Sequence, residues 1–139
     1  MFLNVNVDPS DHSTCALTYD EAERWLRATW RGYVDPIEAI HGAEAYLRHA
    51  VETSSPFLLN DNSQLIGPWF ESIDWLAHVW VPQARHLGLR YVAHVVQADQ
   101  QYDVLTLLKP TRLPFELQLF TELAEAEHWL RHCRNAMLK

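Results

Sequence analysis

Residues 90 to 96, Arg-Tyr-Val-Ala-His-Val-Val, constrain the fold more than any other stretch of the chain. Extended, this segment is mostly apolar on both faces. Such a strand has to be covered on two sides, which is the situation of a central strand in a parallel sheet. Parallel neighbours require crossover connections, and helices usually provide them. Gly88, two residues upstream, is a suitable C-cap for the helix that would lead into it.

The rest of the chain supplies elements to surround that strand. Residues 13–19 and 24–31 read as two strands joined by a short turn, Asp20 to Glu23. In the second, Trp25, Arg27 and Thr29 face one way, and Leu26, Ala28 and Trp30 the other. Trp25 interrupts an otherwise polar face. Residues 2–7 carry a weaker pattern, expected to form an edge strand. The first helix has Asp35 as N-cap, Pro36 at its first position and Glu38 in its first turn. Its apolar stripe is Ile37, Ile40, Ala43, Leu47 and Ala50, and Ser54-Ser55-Pro56 stops it. Residues 57–60 are expected to form a short buried strand, followed by a loop at Asn60-Asp61-Asn62-Ser63.

A second helix is expected from Gly67-Pro68 onward, with Phe70, Ile73, Ala77, Trp80, Ala84 and Leu87 at helical spacing. Pro82 interrupts it and predicts a kink or break near Trp80, because proline has no N–H for the carbonyl of His78. Residues 99–109 predict a short helix ended by Pro110. Residues 115–120 alternate like a half-exposed strand. The last helix starts near Thr121 and buries Leu123, Ala126, Leu130 and Cys133. The order β-β-α-β-α-β-α-β-α predicts an α/β protein: an N-terminal hairpin, then βα units, in a mixed sheet of four to six strands.

With 139 residues, a single domain over 1–139 is expected, since dividing the chain would leave neither half much of a core. The formal net charge of −7 opposes non-specific nucleic-acid binding. Arg24, Arg27 and Arg31 do not form a patch on one face. The N-terminus does not resemble a signal peptide, and no apolar stretch reaches the ~20 residues that span a bilayer. A cytoplasmic protein is therefore expected, with Cys15 and Cys133 as reduced thiols.

No catalytic constellation is legible. There is no Gly-x-Ser-x-Gly elbow, and four glycines leave little room for a phosphate loop or a dinucleotide fingerprint. No cofactor is expected. His128 and His132 share a helix face at metal spacing but lack a nameable third ligand, so no metal is expected. His41 with His49, and His78 with His86, are two turns apart. Glu122 and Glu125 belong to a solvent face. The Asn60 to Ser63 segment follows a strand that should be parallel, where α/β sheets bind ligands. A turn that caps the next helix is the competing reading. Six tryptophans are many for this length. Most should pack in the core, and Trp69 and Trp75 are the candidates for a ligand pocket or partner surface.

The ordered set of local patterns resembles the STAS-like domains related to anti-sigma-factor antagonists, in their small stand-alone bacterial branch. The resemblance is carried by Tyr19-Asp20, Trp30-Arg31-Gly32, Asn60-Asp61-Asn62, Asp74-Trp75-Leu76 with Pro82, Gly88 to Ala93, and Ala126 to Leu130. It implies a non-catalytic signalling or ligand-sensing module. Signalling members of the family carry a phosphorylatable Ser or Thr in an Asp-Ser-x-Gly turn. Asn62-Ser63-Gln64-Leu65 has no such turn, which removes the usual basis for switching at Ser63. The expected partner is another protein or a second copy in a homodimer. The alternative is a small apolar molecule or lipid held against the sheet.

Overall fold

The computed structural model describes residues 2–7, 14–66, 75–97 and 113–137. Six strands form one sheet: β1 (Phe2–Val7), β2 (Thr14–Asp20), β3 (Trp25–Gly32), β4 (Phe57–Leu65), β5 (Tyr91–Val95) and β6 (Glu116–Phe120). They lie side by side in sequence order. The first three pair antiparallel, and β3 to β6 pair parallel. The helical elements are α1 (Pro36–Thr53), a π-helical turn at Leu76–Trp80 running into α2 (Val81–His86), and α3 (Leu123–Met137). β5 is flanked by β4 and β6 and is buried from Val92 to Val95, as its two apolar faces predict. The helix expected over 99–109, the helix start at Gly67-Pro68, and Trp69 lie outside the described residues.

The two faces of the sheet carry separate cores. On one, Cys15, Leu17, Leu26, Leu58 and Val92 pack against Ala39, Ala43, Tyr46 and Ala50 of α1 and against Leu76, Val81 and Ala84. On the other, Trp25, Phe57, Leu59, Ala93 and Val95 pack under Ala126, Leu130 and Cys133 of α3. The alternation along β3 sorts its residues between these cores as expected. Trp25 interrupts the polar face because α3 covers it, with the Arg131 and Arg134 guanidinium groups each 5.9 Å from its ring centre. The same arginines tie α3 to the β2–β3 turn. Arg131 Nε donates to Glu23 Oε2 at 2.9 Å, and Arg134 Nη1 donates to the Glu23 carbonyl at 2.8 Å. Arg24 belongs to that turn rather than to β3, with φ at 64°.

α1 begins as its sequence dictates: Asp35 Oδ1 accepts the Glu38 N–H at 2.9 Å. Of its expected stripe, Ala43 and Ala50 are buried and Ile40 and Leu47 pack against the core, while Ile37 does not. Ile37 is 67% exposed, and the contact with the sheet is made by Ala39, Gly42, Ala43, Tyr46 and Ala50. Small residues let the helix come closer to the sheet than an isoleucine face would. The helix ends at Ser54, left-handed at φ 51°, whose N–H donates to Ala50 O. A side chain in that conformation costs ~1–2 kcal/mol, and glycine's extra freedom when unfolded recovers only part of this. Ser54→Gly is therefore expected to stabilise the protein by about 0.5–1 kcal/mol in urea unfolding.

The break expected near Trp80 takes the form of the π turn. The Val81 N–H reaches back five residues to Leu76 O, and Pro82 follows at the start of α2. Trp80 then pins this segment to α1: its Nε1 donates to the Ala43 carbonyl at 3.1 Å, and its ring lies 5.3 Å from that of Tyr46. Gly88 ends α2 at φ 109°, as its position before β5 predicts. No helix among the described residues is long and apolar enough to cross a membrane.

Candidate functional site

Asn60-Asp61-Asn62-Ser63 is not a loop. β4 continues through it to Leu65, and Asn60, Asp61 and Asn62 are buried. The run of polar side chains reads as a turn in isolation, but Asn60 and Asp61 pair with Ala28 and Thr29 of β3 on one side and with His94 and Val95 of β5 on the other. The register against β3 slips by one residue opposite Trp30, where Thr29 pairs with Asp61 but Arg31 pairs with Gln64. This extra residue in β4 is a bulge, the device that re-aims side chains at a strand end. Asp61 supports it by accepting the Ser63 N–H at 2.9 Å, while Ser63 itself is exposed. Gln64 Oε1 accepts from Arg31 Nε at 3.0 Å.

The buried amides form one network at the carboxyl ends of the parallel strands. Asn60 Oδ1 accepts the Trp30 indole N–H at 2.9 Å. Asn60 Nδ2 lies 3.0 Å from Asn62 Oδ1 and 2.9 Å from His94 Nδ1. The amide has two hydrogens, one for each. His94 Nδ1 is thus an acceptor, and its ring proton sits on Nε2. Asn60 and His94 are cross-strand partners on β4 and β5. Asn62 and His94 are fully buried. The network ties three strands together: Trp30 on β3, Asn60 and Asn62 on β4, and His94 on β5. His94 stands inside an otherwise apolar strand, and that was the signal in the sequence for a buried polar partner.

Trp75 is half-buried and packs against the α1-side core. Cys15 and Cys133 are buried free thiols in different cores, on opposite faces of the sheet. They cannot pair without the sheet opening. Burial pushes the Cys15 thiol up to about 12 and also raises that of Cys133, where the Glu116 charge adds to the effect. Neither is a reactive thiolate at neutral pH. Among the described residues, no group of three or more His, Cys, Asp or Glu side chains gathers to hold a metal ion.

A second locus lies at the β6 edge beside α3. The Glu116 N–H donates to Arg90 O and the Phe120 carbonyl accepts from Val96 N, each at 2.9 Å. Alternate residues of a strand direct their backbone groups to opposite sides. Leu117 and Leu119 therefore turn their N–H and C=O groups away from β5. Among the described residues no strand lies on that outer side. Leu119 is 40% exposed. Two open clefts flank the edge, both walled by Trp129. One, of about 650 Å³, lies at the start of β6 with Tyr91, Gln118 and Met137. The other, of about 450 Å³, lies at its end with Phe120, Glu125, His128 and His132. The first joins residues 90–91, 113–118 and α3, which spacing alone could not bring together, while the second is walled by the single stretch from Phe120 to His132, where His128 and His132 already share a helix face by their spacing.

No family model matches this chain, and no curated protein does. Among solved structures, an uncharacterised protein of the DUF3478 family from Shewanella loihica PV-4, described as having a SpoIIAA-like fold, superimposes with a TM-score of 0.51. The match covers 90% of this chain and 98% of that one at 16% sequence identity. Identity that low carries the fold and nothing finer. The sheet with its leading hairpin, parallel βα units and closing helix is thus the SpoIIAA-like, STAS-like fold.

Proposed function

We propose that this chain is a non-catalytic interaction module that engages another polypeptide along the edge formed by β6 and α3. The carrying observation is the outward-facing backbone of Leu117 and Leu119, flanked by two clefts with aromatic walls. An exposed strand edge is a template for pairing with another chain. The polar groups at the strand carboxyl ends support the same reading, because Trp30, Asn60, Asn62 and His94 are buried and bond to one another. A photo-crosslinking residue placed at Leu119 in the producing cell is expected to capture a polypeptide, and one at the exposed Ile37 on α1 is not. No adduct at Leu119, or equal capture at both positions, would refute the proposal.

A small apolar molecule in the larger cleft is the second reading. Its volume of about 650 Å³ lies inside the ~300–1,000 Å³ range of ligand sites. Bound mass in native mass spectrometry of freshly purified protein would favour it.

A further inference from the structure

We infer that the polypeptide that pairs with β6 is a second copy of this chain, joined antiparallel about a twofold axis through Gln118. This inference rests on the proposed role of the β6 edge. Backbone parity together with the pairing of both leucines selects the register. Only Leu117 and Leu119 present outward groups. Centring the pair on Gln118 sets Leu117 opposite Leu119 of the second copy, and Leu119 opposite its Leu117. Each of these facing pairs exchanges both of its backbone bonds, which satisfies all the outward groups of the two leucines. The two Gln118 residues then face each other as a close pair without hydrogen bonds.

The side chains agree with that register. On the α1 side of the sheet, leucine meets leucine. On the α3 side, Glu116 lies opposite Phe120 of the second copy. The Phe120 ring of one copy is brought to the cleft at the start of the other's β6, walled by Tyr91, Trp129 and Met137. The Glu116 carboxylate of one copy is brought to the cleft at the end of the other's β6, where His128 and His132 stand one turn apart. Glu125 lines that cleft as well, so the carboxylate meets two histidines and one acid. A parallel pairing would instead set Glu116 beside Glu116, an unfavourable like-charge contact. With a net charge of −7 on each copy, association has to come from such local complementarity. The twofold makes each contact occur twice, as in an isologous interface.

The test uses the full chain. Sedimentation of the unmodified protein at tens of micromolar is expected to show a dimer. Gln118→Cys is expected to form an intermolecular disulfide under mild oxidation, because facing Cα atoms of a close antiparallel pair are ~4.5 Å apart, within disulfide reach. Leu119→Cys places its thiols on the diagonal, ~7–8 Å apart, and should crosslink slower by roughly tenfold or more. The buried Cys15 and Cys133 serve as internal controls that do not crosslink. A monomer in sedimentation, or equal crosslinking at both positions, overturns the second copy as partner. If the photo-crosslinker at Leu119 still captures a different protein, the edge keeps its role and only the partner's identity is wrong. Without any capture, the edge loses that role too.

Discussion

Asn60→Ala is expected to lower the unfolding free energy by about 3–5 kcal/mol, read from the urea midpoint with an unchanged slope. The alanine removes the acceptor for the Trp30 indole and both donors, to Asn62 and His94. Each buried polar atom that loses a hydrogen bond costs up to ~1–3 kcal/mol, and three lose one at once. The costs will not add fully, because the partners share one amide. Pairing the substitution with His94→Ala should reveal this, with a coupling of about 1 kcal/mol or more between the two sites. A loss below about 1 kcal/mol would mean that the sheet can re-satisfy those groups, and that the network is not what ties the strand ends together.

Gly42→Ala is expected to be destabilising by about 2–3 kcal/mol, against the usual preference for alanine inside a helix. A Cβ at residue 42 would lie 2.5 Å from the tip of the Trp30 ring and 2.9 Å from Cys15 Sγ. The ring cannot swing aside at low cost, because its Nε1 is held by Asn60 at 2.9 Å. α1 would have to lift from the sheet and loosen Ala39, Ala43 and Tyr46 with it. Trp30→Phe shortens the ring, so the penalty of Gly42→Ala should fall by at least half in that background. An unchanged penalty would place the cost elsewhere. Helix propensity and close packing make opposite forecasts for this one substitution, and thermal unfolding of the four proteins in the cycle separates them.

Both substitutions bear on the candidate site through the same sheet. The Asn60 network ties β3, β4 and β5 together at their carboxyl ends, and β6 is hydrogen-bonded to β5 alone among the described strands. A loosened β5 should therefore weaken pairing at the β6 edge, although neither residue touches it.

What the sequence determined by itself is the set of elements whose signals are local. The apolar run at residues 91–95, the Asp35-Pro36 start of α1, the alternation along β3 and the Gly88 end of α2 each follow from a few neighbouring residues. Backbone sterics and hydrogen bonding within one turn or one strand suffice to specify them. The order of these elements, with right-handed crossovers, was enough for the α/β sheet and its STAS-like fold. Tertiary structure decided the rest. Asn60 to Ser63 reads as a turn until β3 and β5 offer Asn60 and Asp61 ladder partners on both sides, and only then is a buried polar strand the lower-energy state. Gly42 joins the buried face of α1 because Trp30, on β3, leaves no room there for a Cβ, and nothing near residue 42 in the sequence announces that neighbour. The cleft at the start of β6 joins residues 90–91, 113–118 and α3, and no local pattern records that these segments meet. Contacts between residues distant in the chain depend on how whole elements pack, so they become readable only once the sheet has assembled.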